Sequence, residues 1–85
     1  MVTLDDFRLL PFEKKCEFVT FCGSYLAQTD MGNEKYYLYH LEDFYVEVCF
    51  DSSTNRVFSI QAFTDIARLD AYLEHVELSE IMNLI

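Results

Sequence analysis

Residues 36–50 read Tyr-Tyr-Leu-Tyr-His-Leu-Glu-Asp-Phe-Tyr-Val-Glu-Val-Cys-Phe, and this stretch decides the fold. It holds no Gly or Pro and is dense in aromatic and β-branched residues, the composition of strands. From Phe44 onward the alternation is plain: Phe44, Val46, Val48 and Phe50 share one face, and Tyr45, Glu47 and Cys49 share the other. A two-residue turn at Glu42-Asp43 sets Leu41 opposite Phe44, Tyr39 opposite Val46 and Tyr37 opposite Val48. That register places three large residues of the first strand on the apolar face of the second. The hairpin therefore specifies a core and no reaction.

Working outward, Asp51-Ser52-Ser53-Thr54-Asn55 is rich in side chains that bond their own backbone, and reads as the next turn. A strand over 56–63 follows; a five-residue loop would set Val48 opposite Phe58, Val46 opposite Ile60 and Phe44 opposite Ala62. Upstream, Ser24 to Thr29 reads as a first strand with Tyr25 and Ala27 facing the core. A loop over 30–34 follows it, with turn chemistry at Gly32-Asn33. Thr3 is a fitting N-cap for a short helix with Asp5 and Asp6 in its first turn, and Pro11 interrupts that helix. A second helix runs from about Phe12 to Cys22, with Phe12, Cys16, Val19 and Cys22 as its apolar stripe, Phe18 and Phe21 beside it, and Gly23 as its stop. Thr64 reads as the cap of a last helix whose stripe is Ile66, Leu69, Tyr72, Leu73 and Val76; Ser79-Glu80-Ile81-Met82 reads as a final short turn. The expected fold is α+β: a single four-stranded antiparallel meander sheet, with the N-terminal and C-terminal helices packed on one face.

The run Phe44-Tyr45-Val46-Glu47-Val48, the Asn55 turn, Ala62-Phe63, the Leu69-x-x-Tyr72-Leu73 helix and the helix-ending Gly23 together resemble small bacterial proteins with no assigned activity. The resemblance spans nearly the whole chain and implies the same helix, four-strand meander, helix layout, with no catalytic residue. Those proteins tend to carry Gly in the central hairpin turn, where this chain has Glu42-Asp43.

Eighty-five residues make one domain, 1–85, and 52% hydrophobic content suits a small dense core. No run approaches the roughly 18–20 apolar residues of a membrane span, and the acidic start, Met1 to Asp6, lacks the basic region of a secretory signal. Three cysteines, odd in number, point to a reducing cytoplasm. The net charge of −9 is uneven: residues 1–41 hold six acids and four Lys/Arg, whereas residues 42–85 hold nine acids and two Arg. A phosphate backbone would be repelled, which argues against direct nucleic-acid binding. The acidity serves either solubility or the capture of a basic partner.

Cys16, Cys22, Cys49, His40 and His75 are the only soft metal ligands. No Cys-x-x-Cys pair exists, and a six-residue helical step leaves Cys16 and Cys22 about 120° apart, so no metal and no cofactor is expected. A Cys49–His40 nucleophile pair would have to touch, yet the register sets His40 against Tyr45 and Cys49 against Tyr36, at different levels of the hairpin. No phosphate loop, serine elbow or carboxylate pair is present, and Glu42-Asp43 and Asp51 lie too far apart along the strand for a calcium loop.

The face opposite the core is the candidate site. It carries Tyr36, Leu38, His40, Tyr45, Glu47 and Cys49, with Leu26 beside them on one strand and Val57, Ser59 and Gln61 on another. Amphipathic aromatics at such a face suit an interface; strand propensity alone, or a terminal segment folded over the face, would produce the same pattern. The leading expectation is a non-enzymatic cytoplasmic interaction module that uses this face for a protein partner or for a symmetric dimer of the chain. An acidic inhibitor or immunity-type protein bound to a basic partner is the alternative, and a small enzyme using Cys49 or His40 the remote one.

Overall fold

The computed structural model describes residues 2–72. The central hairpin forms in the register its sequence dictates. Strand β2, Glu34–Leu41, pairs antiparallel with β3, Phe44–Asp51, with Leu41 against Phe44, Tyr39 against Val46, Tyr37 against Val48 and His40 against Tyr45. Glu42 supplies the turn at φ 55, a left-handed conformation that an L side chain occupies at some cost. Strand β1, Ser24–Met31, flanks β2, and β4, Arg56–Phe63, flanks β3, so the sheet is a meander in the order β1-β2-β3-β4.

Both outer hairpins are tighter than the sequence suggests. Met31 pairs with Glu34 directly, so the first loop is only Gly32-Asn33, with Gly32 at φ 65. The last loop is four residues, and Asp51 pairs with Arg56 across it. The Asp51 carboxylate accepts from the Ser53 backbone N–H at 2.9 Å and from the Ser53 hydroxyl at 2.7 Å. These bonds hold Asp51 below the usual carboxylate range.

Each edge strand sits beside a register irregularity. In β3–β4 the shift lies at Cys49/Phe50: Phe50 pairs with Val57 and Cys49 with Ser59, leaving Phe58 unpaired. Val48 therefore meets Ile60, and Val46 meets Ala62, two residues away from the partners expected for a five-residue loop. In β1 the shift lies between Tyr25 and Ala27. Tyr25 keeps its place against Tyr39, but Ala27 moves to the outer face beside Leu38, away from the core face expected for it.

Helix α1, Leu4–Arg8, is capped as expected by the Thr3 hydroxyl, which accepts from the Asp6 N–H at 3.1 Å. Helix α2 runs Phe12–Cys22. Phe7 is the deepest residue α1 contributes, its ring 5.6 Å from that of Phe44. Around it gather Val19, Leu41, Phe44, Val46 and Ala62, the inner core. The α2 stripe is narrower than its spacing implies. Val19 is buried and Phe18 packs at the core edge, while Cys16 is half-buried and Phe12, Phe21 and Cys22 are exposed. Because Phe7 already fills the sheet beside it, α2 reaches the core by one row of side chains. A cleft of about 250 Å³ remains between α2 and the far half of the inner face, lined by Cys16, Tyr37, Val48 and Phe50. Gly23 ends α2, but at φ −80 and ψ 145, not in the left-handed stop expected for it. Its reason is space: a Cβ there would stand 2.7 Å from the Val19 carbonyl oxygen.

The segment after β4 corrects the layer assignment. Ile66–Tyr72 forms a 3₁₀ helix, η1, and it packs on the face opposite α1 and α2. Leu69 and Tyr72 join Ala27, Leu38, Tyr45 and Phe63 in a second core. The three-residue spacing of Ile66, Leu69 and Tyr72 matches the 3.0-residue turn of this helix. The cap is Asp65, not Thr64: its carboxylate accepts from the Ala67 N–H at 3.0 Å. Expectations for Leu73, His75, Val76 and the 79–82 turn lie outside the described residues.

Candidate functional site on the outer sheet face

Tyr36, Leu38 and His40 of β2 and Tyr45, Glu47 and Cys49 of β3 occupy three adjacent rungs: His40 with Tyr45, Leu38 with Glu47, Tyr36 with Cys49. The six are therefore neighbours on one face. They are not a bare patch, because η1 covers one end of it. Leu38 is 0% exposed, Cys49 3% and Tyr45 5%, whereas Tyr36, His40 and Glu47 are half-buried. A sheet apolar on both faces needs a second covering layer, and this chain supplies it from its own residues 66–72.

Glu47 ties that layer down. The Tyr72 hydroxyl donates to Glu47 Oε2 at 2.7 Å, and Arg68 Nη2 lies 3.6 Å from Glu47 Oε1. The same guanidinium donates to Gln61 Oε1 at 3.2 Å and stands 4.2 Å from the centre of the Phe63 ring. Burial first, then the bond to Glu47, push the Tyr72 hydroxyl well above the ordinary phenol range.

Cys49 and Tyr36 are held protonated. Burial, followed by the Glu47 charge, pushes the Cys49 thiol up to about 11. Its sulfur lies 3.9 Å from Glu47 Oε1. The Tyr36 hydroxyl donates to Glu34 Oε2, and chiefly through that bond it is pushed up to about 12. His40 packs against Tyr45 with ring centroids 5.4 Å apart and planes tilted by 56°, and the Leu38–Glu47 rung stands between it and Cys49. With that rung between them, the Cys49 thiol and the His40 ring do not form the touching pair expected of a Cys–His nucleophile.

Beyond η1 the face opens into a hollow of about 330 Å³. Met31, Tyr36 and Phe58 give it apolar walls, Glu47 a carboxylate, and Thr29 and Gln61 further polar groups, with Cys49 also in its lining. Phe58 is the residue the alternation misses. The register shift at Cys49/Phe50 brings it to this face, and Val57, expected here, lines the inner cleft instead. Ser59 lines the hollow as expected. Among the described residues no group of three or more His, Cys, Asp or Glu could hold a metal ion, and no helix is long and apolar enough to cross a membrane.

No family model, curated protein or solved structure matches the chain.

Proposed function

We propose that this chain is a non-enzymatic protein-interaction module that receives a basic segment of a partner at the uncovered end of its outer sheet face. The observation that carries the reading is the hollow beside η1, where a carboxylate sits among Tyr36, Met31 and Phe58. Such walls suit the aliphatic stem of a Lys or Arg; Glu34 next to Tyr36 suits its charge, and the incoming cation would share Glu47 with Arg68. The net charge of −9 would steer a basic partner toward the chain. The crowding of nine acids into residues 42–85 favours a second reading, an inhibitor or immunity-type protein that occupies a basic active site. The three free thiols support a reducing cytoplasm as its setting.

Amide NMR shifts during an oligolysine titration at about 0.15 M salt, where surface attraction is screened beyond a Debye length, test the site. Shifts should concentrate at Tyr36, Glu47, Phe58 and Gln61, and Phe58→Ser should remove them. Shifts spread evenly over the Glu42-Asp43 and Asp51 turns, or unchanged by Phe58→Ser, would refute the reading.

A further inference from the structure

Leu9 and Phe21 are the two most exposed large apolar residues described, at 84% and 83%. Phe21 does not stand alone. With Leu10, Phe18 and Cys22 it lines a second hollow of about 330 Å³ on the solvent side of α2, bordered by Lys14 and Glu17. Lys14, Glu17, Phe18 and Phe21 recur at three- and four-residue steps, the spacing of one helix face. A face of that pattern, charged toward its N-terminal end and apolar toward its C-terminal end, can pack against another helix.

The charge distribution says which partner fits. Residues 9–22 hold two Glu and two Lys, so the entire −9 of the chain lies outside them. Two copies of so acidic a chain repel each other wherever their acidic surfaces meet. The α2 face carries no net charge, so that repulsion is weak there. Its charged border also carries both signs, with the Lys14 ammonium 3.3 Å from Glu17 Oε2 within one copy. A two-fold operation brings the Lys14 and Glu17 of one copy to those of the other with opposite signs in reach.

We propose that α2 is a self-association surface: a second copy of this chain packs on the 14-17-18-21 face and Phe21 of each copy enters the hollow of the other. This goes beyond the outer-face reading and uses none of its residues, so either can fail without the other.

Sedimentation equilibrium of the wild-type chain up to about 0.5 mM, the range of weak transient interfaces, gives the first readout. The average mass should climb from 10.1 kDa toward twice that value. Phe21→Lys should weaken association at least about tenfold. Phe12→Lys is the control. It lies nine residues away, on the opposite side of the helix by about 180°, and should leave association unchanged. Because Phe21 is exposed, its replacement leaves the fold intact, which circular dichroism checks. The second readout is local: the maleimide reaction of Cys22 should slow several-fold as wild-type concentration rises and hold constant in Phe21→Lys. A wild-type chain that stays monomeric throughout would overturn the proposal. So would association that Phe21→Lys leaves as tight, or Cys22 reactivity independent of concentration in an associating chain.

Discussion

Glu42 and Gly32 hold equivalent positions in two consecutive hairpins. Each opens a two-residue turn and each has positive φ, 55 for Glu42 and 65 for Gly32. Glycine is at ease there and glutamate is not. Glu42→Gly should therefore raise the free energy of unfolding by about 0.5–1 kcal/mol, and Gly32→Ala should lower it by about 1 kcal/mol. No heavy atom lies within 4 Å of a Cβ built on Gly32, so the second effect is purely one of backbone conformation. Urea denaturation of the two variants checks both signs; loss of stability in Glu42→Gly would mean that the Glu42 side chain contributes more than its strain removes. Cys49 gives a pH prediction. An unfolded thiol ionises near about 8.5, whereas the folded one is pushed up to about 11. The unfolded state thus loses its proton first. Stability from this group is intact below the lower value and drains away as pH rises toward the higher one. Cys49→Ala should flatten the fall of stability across that window in alkaline denaturation, and an unchanged slope would refute the assignment. The turn at Glu42-Asp43 was legible from the alternation on either side of it. The reason for Gly23 was not, because the close approach of the Val19 carbonyl is made only once α2 has formed.

The strands were legible as elements wherever side chains alternate, and they lost definition wherever the register slips. β2 and β3 obey a strict period of two over their whole length, so their pairing followed residue by residue. β1 and β4 each sit at a shift, and there Ala27 and Phe58 left the faces their parity assigned. No residue type announces those shifts, each of which gives one strand an extra residue against its partner. The same limit applies to Ile66–Tyr72, whose apolar stripe was plain while its choice of face was not. That choice sets the order of two core substitutions. Tyr45 is buried under η1, whereas Val48 is half-buried beside the inner cleft. Tyr45→Ala should cost about 3–5 kcal/mol and Val48→Ala about 1–2 kcal/mol. Thermal melts of both variants decide the matter, and a larger loss at Val48 would mean that η1 contributes little. Helix α1 has a second task at this scale. The Arg8 guanidinium donates to the Ala62 carbonyl at 3.0 Å, covering part of the β4 edge that would otherwise offer itself to another strand.

As a whole the described chain is one sheet between two unequal layers, α1 and α2 on one side and η1 on the other. The sequence carried the sheet and the helices. It did not carry the count of layers, because apolar residues on both strand faces fit an interface and a second core equally well. Only the position of Leu69 and Tyr72 separates the two, and it buries Leu38 and Tyr45 in a second core. The charge acts at this scale too. With 15 acids against 6 Lys/Arg, the compact state repels itself. Raising salt from about 10 mM to about 150 mM, which shortens the screening length from about 30 Å to about 8 Å, should raise the melting temperature. A fall would show that the Glu47–Arg68 and Lys14–Glu17 contacts outweigh the repulsion.

The side of the sheet on which η1 lies also orders events during folding. Residues 1–63 contain both N-terminal helices and all four strands, and every strand pairs with its sequence neighbour. Such local pairing is quick to form. The inner core can thus close before Leu69 and Tyr72 dock on the opposite face. Until they do, Ala27, Leu38, Tyr45 and Phe63 face water together, and the chain is stickiest just before η1 docks.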